Sequence, residues 1–275
     1  MKLQENIPLK KYATLKIGGP AKYFFVAKTK LSLVKAIKWA KKKNLPFFIL
    51  GAGSNVLFSD KGYQGLVIKF QNPRLSQLVN NGLEWAIGIP GTMAGAVWGN
   101  AGAFGKSMKD VVKTVEVFDI KDEKIKTLNN KDCQFGYRDS IFKKNPNLII
   151  LSAEIKQKKN RNPPPLKLRR ARIKEYLVYR KRTQPFYFPS AGSVFKNPAP
   201  EQSSVRGRSA GELIEQCGLK GKQIGGAQIS DLHANFIVNL GSACAQDVLS
   251  LVKLIKKTVY EKFKVKLEEE IKIFK

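Results

Sequence analysis

AIGIPGTMAGAVWGNAGAFG, residues 86–105, sets glycines at 88, 91, 95, 99, 102 and 105 among alanines. Small residues at this density leave the main chain bare, so a long ligand can lie directly on backbone N–H and C=O groups. A shorter tract upstream, FFILGAGSNVLF at 47–58, holds Gly51, Ala52, Gly53, Ser54 and Asn55 between two strand-like runs. There the missing β-carbons let backbone N–H groups approach a phosphate, and Ser54 and Asn55 add side-chain donors. Alone, this turn reads equally well as a tight bend that needs glycine. Two such loops in one chain point to a dinucleotide, although both common nucleotide fingerprints fail. Val56 stands where G-x-G-x-x-G needs its third glycine, and Asn100 stands where a P-loop ending in Gly105-Lys106-Ser107 needs its first.

Outward from these tracts the pattern is α+β. Residues 29–43 carry a helical stripe (Leu33, Val34, Ile37, Ala40) that stops at Asn44 and Pro46, between strand-like runs at 22–27 and 47–50. A strand at 65–70 leads through Asn72-Pro73 to a predicted short helix over 75–85 that runs into the long tract. Residues 115–128 read as a hairpin and 148–155 as a buried strand. Residues 157–185 combine three consecutive prolines with a basic helical stretch, which places a boundary near 186. Beyond it, Asp247 is expected to cap a helix with the stripe Val248, Leu251, Val252, Ile255, Val259 and Phe263. Val265, Leu267, Ile271 and Ile273 then alternate as in a strand, which puts Glu268, Glu270 and Lys272 on the opposite face.

Composition excludes several classes. With 275 residues, 43% hydrophobic, the chain can bury a substantial core. Cys133, Cys217 and Cys244 lack both zinc-site spacing and disulfide density, and a lone histidine, His233, builds no multi-histidine metal site, so no metal is expected. No stretch approaches the ~20 apolar residues that span a bilayer, and the N-terminus has no signal-peptide core, so a cytosolic location is expected. Fifty Lys and Arg against 21 Asp and Glu give +29, dispersed through nearly every segment. That charge fits a lysine-biased solvated surface, steering of anionic ligands, or nucleic-acid binding.

IGGPA (17–21), GAGSNVL (51–57), GLEWAIGIPGTMAGAVWGNAGAFG (82–105), YRDSIFK (137–143), PSAGSVFKNP (189–198), GGAQISDLHANFIVN (225–239) and LEEEIKI (267–273) follow one another along the chain. This ordered set resembles the UDP-N-acetylenolpyruvoylglucosamine reductase (MurB) family from about residue 5 to the C-terminus. The resemblance implies a two-lobed FAD-binding region of the vanillyl-alcohol-oxidase (PCMH) type at 1–70 and 71–185. A C-terminal α+β substrate domain at 186–275 would close over it. It further implies non-covalent FAD, NADPH as hydride donor, a monomer, and reduction of UDP-N-acetylglucosamine enolpyruvate to UDP-N-acetylmuramate for peptidoglycan. Expected FAD contacts are Gly51, Ala52, Gly53, Ser54, Asn55 and Val56 in the first tract. In the second they are Ile89, Gly91, Thr92, Gly95, Ala96, Asn100, Ala101 and Gly102.

In such a reductase Arg138 matches the arginine that grips the substrate carboxylate, Ser193 the proton donor and Glu270 the catalytic glutamate. Lys196 and Asn197 resemble the sugar-nucleotide contacts, with Tyr137 and Gln184 as further substrate-side residues. His233 reads as structural. Between Ile68 and Gly82 the family has several dozen residues where this chain has about a dozen, so a strand pair of the second flavin lobe should be missing or rebuilt. No tyrosine-bearing loop intervenes between Lys143 and Pro189, as in the shorter of the family's two subtypes. A flavoprotein oxidase of the same fold would often carry a histidine or cysteine for covalent flavin attachment, and neither glycine tract has one. A non-enzymatic nucleic-acid binder rests on charge alone.

Overall fold

The computed structural model describes residues 1–156, 165–199 and 207–274. The first lobe begins with β1 (Gln4–Pro8), β2 (Pro20–Ala27), α1 (Lys30–Lys42), β3 (Phe47–Leu50), β4 (Val56–Leu57) and β5 (Tyr63–Phe70). Thr29 starts α1 by accepting a hydrogen bond from Ser32 N at 3.1 Å, and the apolar stripe buries Leu33, Ala36, Ile37 and Ala40. The sheet order is β1-β2-β5-β3, with β1 antiparallel to β2 and both β2 and β3 parallel to β5. The βαβ-like opening therefore closes with β5 inserted between its two strands.

The second lobe contains α2 (Met93–Trp98), β6 (Gly102–Ala103), β7 (Lys106–Ser107), α3 (Met108–Val111), β8 (Val112–Asp119), β9 (Lys124–Asn129), α4 (Ile141–Lys144), β10 (Leu148–Ile155) and α5 (Leu166–Thr183). The expected hairpin is β8–β9, and β10 joins it in a three-stranded antiparallel sheet. The predicted helix over 75–85 is instead two 3-10 segments, Leu75–Asn81 and Glu84–Ala86. Gly82 separates them in a left-handed conformation, φ 86°, which stops any α-helix there. No strand forms between β5 and β6 among the described residues, so the shortened segment is rebuilt as turns. Of the three consecutive prolines, Pro163 and Pro164 lie outside the described residues.

The C-terminal part comprises β11 (Ser190–Ser193), α6 (Ala210–Gln216), β12 (Gln223–Ile224), β13 (Ala227–Ile229), β14 (Phe236–Asn239), α7 (Ala245–Phe263) and β15 (Lys272–Ile273). Its sheet runs β11-β14-β13-β12, antiparallel throughout. Asp247 is not the cap of α7. Cys244 holds that position, and Asp247, three residues on, accepts from Cys244 N at 3.0 Å and Gly226 N at 3.2 Å. The stripe itself is as expected: Val248, Leu251, Val252, Ile255 and Val259 are buried. Each such side chain contributes about 1.5–3 kcal/mol when fully buried.

Val265, Leu267 and Ile271 do point inward, yet only Lys272–Ile273 forms a regular strand. β15 returns to the first lobe and pairs in parallel with β4, Lys272 opposite Val56 and Ile273 opposite Leu57. Phe274 then packs among Phe48, Phe58 and Tyr63. The tail is thus clasped to the strand that leaves the first glycine turn. Among the described residues no helix is long and apolar enough to cross a membrane, and no cluster of His, Cys, Asp or Glu could hold a metal ion.

Candidate active site

The two glycine tracts meet. A β-carbon on Gly51 would lie 2.7 Å from Thr92 Oγ1, the hydroxyl that accepts from Gly95 N and starts α2. Gly53, at φ 73°, passes so close to Tyr12 O that a β-carbon would sit 1.9 Å from it. The first turn therefore needs its glycines for its own packing. Thr14 Oγ1 ties this turn to the serine loop, with Ser190 O at 2.6 Å and Gly53 O at 3.3 Å.

The long tract is not bare throughout. Met93–Trp98 coil into α2, which buries Met93, Ala96 and Val97, so Ala96 turns its side chain to the core. The Asn100 side chain is committed to the protein: Nδ2 donates to Gly136 O at 2.6 Å, and Oδ1 accepts from Lys109 N at 2.9 Å. Asn55 is likewise engaged, since its Nδ2 donates to Glu270 O at 3.1 Å. Val56 lies in β4 and is buried. Ala101 accepts from Met108 N at 3.0 Å. Any ligand contact from Asn100 or Ala96 therefore falls to the backbone. On the second tract Ile89 N donates to Ala86 O at 3.0 Å, Gly91 N to Ile89 O at 2.9 Å and Gly95 N to Thr92 Oγ1 at 3.3 Å, while Gly102 pairs with Ser107 in the β6–β7 ribbon. Ala52 and Ser54 of the first turn are therefore the expected contacts left along the line of the two tracts.

Arg138, Glu270 and the Ser193 strand converge. Arg138 occupies a left-handed position, φ 51°, and Nη2 donates to Gly102 O at 3.2 Å. Its Nε lies 2.7 Å from Glu270 Oε1 but off the N–H axis, so the attraction is that of opposite charges more than a straight hydrogen bond. Glu270 N donates to Val194 O at 2.7 Å, and Lys196 N donates to Glu268 O at 2.9 Å, so the residues after Ser193 run beside the C-terminal segment. A β-carbon on Gly192, at φ 78°, would lie 4.0 Å from Ser54 O. Burial pushes the Glu270 carboxyl above the ordinary carboxylate range, against the opposing charges of Arg138, Lys143 and Lys196.

Tyr137, Lys196 and Asn197 line a cleft of about 420 Å³ with Lys266 and Glu268. Tyr137 Oη accepts from Asn197 N at 3.2 Å, and Lys196 Nζ lies 3.0 Å from Glu268. Gln184 stands apart from this cleft, against Arg180, whose Nη1 donates to it at 3.4 Å. A larger groove of about 750 Å³ runs along α5 and contains none of the expected site residues. His233 is half-buried behind Gly211 and Phe236, and its Nδ1 accepts from Asn235 N at 3.2 Å, a structural placement.

Two residues escaped the sequence reading. Lys143 donates from Nζ to Arg138 O at 2.6 Å and sits 4.6 Å over the Trp98 ring, bracing the strained arginine from behind. Arg180 is 7% exposed, faces the Phe104 ring at 5.3 Å and packs against Gly88, while its Nε and Nη2 find no acceptor. Buried donors without acceptors cost about 1–3 kcal/mol each, so a guanidinium in this state fits an acceptor that a ligand brings. The carbonyl-rich edge of a flavin, or an anionic substrate group, is such an acceptor. The glycine turn at 51–54 and this orphaned guanidinium fit the dinucleotide that the tracts suggest.

Residues 21–82 match a family model for an FAD-binding domain, and residues 184–274 match one described as the C-terminal domain of UDP-N-acetylenolpyruvoylglucosamine reductase. Fold and site together define an FAD-dependent oxidoreductase. A reductase from Anoxybacillus flavithermus is 38% identical across 98% of this chain and 94% of its own length, and one from Caldanaerobacter subterraneus is 41% identical across 99% and 93%. The crystal structure of the Thermus caldophilus reductase superposes with a TM-score of 0.82 at 34% identity, covering both chains completely. The chain belongs to the UDP-N-acetylenolpyruvoylglucosamine reductase family.

Proposed function

We propose that this protein reduces UDP-N-acetylglucosamine enolpyruvate to UDP-N-acetylmuramate in peptidoglycan precursor synthesis, with NADPH as the hydride donor. The observation that carries this reading is the ion pair of Arg138 with the half-buried Glu270, set beside the Ser193 strand and at the end of the long glycine tract. FAD, when bound, supplies a hydride relay between NADPH and the substrate. The first turn, Gly51 to Val56, and Ile89 to Gly102 of the second tract hold it, with Arg180 offering its free donors.

The chain's own residues have distinct tasks. Delivery of hydride to the enolpyruvyl methylene carbon builds enolate charge on the substrate carboxylate, and Arg138 faces that charge with a guanidinium held in advance by Glu270 and Gly102 O, on a backbone that Lys143 braces. Ser193 gives its proton to the neighbouring carbon. An ordinary hydroxyl serves as the acid because the enolate is strongly basic. Tyr137, Lys196 and Asn197 present a phenol, a cation and an amide to the sugar nucleotide, a donor set suited to a diphosphate. We assign 1–70 and 71–185 to the two flavin lobes and 186–275 to the substrate domain, in a monomer that works in the cytoplasm and binds no specific nucleic acid.

The test is an anaerobic titration of the yellow protein. NADPH is expected to bleach the flavin absorbance, and UDP-N-acetylglucosamine enolpyruvate to restore it. A purified chain that stays colourless after incubation with FAD would overturn the reading.

A further inference from the structure

Lys69 and Arg74 have no role in the site described above, yet both reach the place where the two glycine tracts touch. Lys69, near the end of β5, donates from Nζ to Gly51 O. Arg74 belongs to the shortened segment, and its backbone bridges to Thr92. Three hydrogen bonds fasten that segment to the second tract: Leu75 N to Gly91 O at 3.1 Å, Met93 N to Pro73 O at 2.8 Å and Ala94 N to Asn72 Oδ1 at 2.9 Å. Thr92, in turn, is the residue that packs on Gly51.

The segment that carries Arg74 is where the resemblance to the family places a loss of residues. The alignment with the Anoxybacillus reductase spans 295 positions while using 98% of this chain, so about 25 of them have no counterpart here. The turns of this segment lie directly on the second glycine tract.

Neither cation is ion-paired with a carboxylate among the described residues, as holds for most cations of this +29 chain, but these two meet beside the glycine tracts. Burial, and then the charge of Arg74, lowers the Lys69 pKa, so the two cations repel each other. Such an arrangement is relieved by an anion, and a diphosphate brings two charges and several acceptor oxygens.

We infer that Lys69 and Arg74 form a diphosphate clamp for the dinucleotide cofactor, a clamp created by the shortened segment that docks Arg74 on the junction of the glycine tracts. This rests on the FAD reading above. The clamp stands beside Gly51 and Thr92, whereas the cleft of Tyr137, Lys196 and Asn197 takes the substrate's diphosphate.

The experiment titrates the full chain, stripped of flavin, with FAD and separately with riboflavin, which has the ring system and no phosphate. Arg74 is exposed, so Arg74→Gln leaves the core intact. R74Q is expected to weaken FAD about tenfold, to lessen the salt dependence of its Kd, and to leave riboflavin binding and the KM for the sugar nucleotide unchanged. R74K should restore most of the affinity, and K69M should deepen the loss. Equal FAD affinity in R74Q, an equal loss for riboflavin, or an effect confined to the sugar-nucleotide KM would each overturn the clamp. Failure of the unmutated chain to take up FAD is read separately and would remove the cofactor assignment itself.

Discussion

Glu270→Gln should abolish most turnover without weakening the fold. The Glu270 side chain is 19% exposed and lies 2.7 Å from Arg138 Nε. Burial nevertheless raises its pKa, and Arg138, Lys143 and Lys196 do not cancel that effect. A raised folded-state pKa means that the folded protein holds the proton more tightly than the unfolded chain. Its contribution to stability is fully present below the unfolded carboxylate pKa and is lost as pH rises through the folded value. Near neutral pH the ionised carboxylate is therefore a net liability, and glutamine imitates the protonated state. Each unit of upward displacement corresponds to about 1.4 kcal/mol, and each kcal/mol to about 2–4 °C in a chain of this size. E270Q is expected to melt no lower than the parent at pH 7 and up to a few degrees higher, with the gap closing as both are acidified through the carboxylate range. Its reoxidation by the enolpyruvyl substrate should fall about 10²–10⁴-fold, since the amide no longer holds Arg138 by charge. Differential scanning fluorimetry across pH, beside stopped-flow measurement of the two half-reactions, reads both effects. A melting temperature lowered by more than about 4 °C at neutral pH would refute the reasoning, because the ion pair, not burial, would then dominate.

Arg138→Met removes the other partner and strands a half-buried carboxylate, so it should lose about 1–3 kcal/mol in urea titrations, less than a fully buried pair because both groups keep some solvent contact. Ser193→Ala should leave reduction by NADPH intact and slow the second half-reaction about 10²–10⁴-fold; equal slowing of both would argue against the acid role. Gly53→Ala meets Tyr12 O at 1.9 Å and φ 73°, and should lose about 2–5 kcal/mol, whereas Gly105→Ala, at φ 72° with nothing within 4 Å, loses only about 1, a ranking that thermal melts can check. Burial pushes the Cys133 thiol up to about 11, so thiol reagents at pH 8 should modify Cys217 and Cys244 in the folded protein and reach Cys133 only after denaturation.

Periodicity exposed those elements whose partners are local. The stripe of α1, the β8–β9 hairpin and the stripe of α7 follow from side chains repeating at the period of one element, so each was visible in a short window. Where long-range contacts decide, the sequence said less. Residues 75–85 have helical composition, but Gly82 and the hydrogen bonds to Gly91 and Pro73 impose turns. The alternation at 265–273 is that of a strand, yet its ladder partner is β4, more than two hundred residues earlier, and pairing covers only two positions.

The site shows the same division more sharply. In a chain of +29, Arg138 resembles any surface arginine, and only its motif separates it from the rest. Lys143, Lys69, Arg74 and Arg180 are distinguished by partners rather than by neighbours in sequence. Lys143 braces a left-handed carbonyl, Lys69 and Arg74 converge without a carboxylate, and Arg180 keeps buried donors unpaired. Electrostatic function in a lysine-rich protein thus resides in the few cations that the fold positions by specific contacts: Arg138 on Glu270 and Gly102 O, Lys69 on Gly51 O and Arg180 over Phe104. Where burial also removes solvent, as at Lys69 and Arg180, a ligand's negative charge is worth most, because water competes least there.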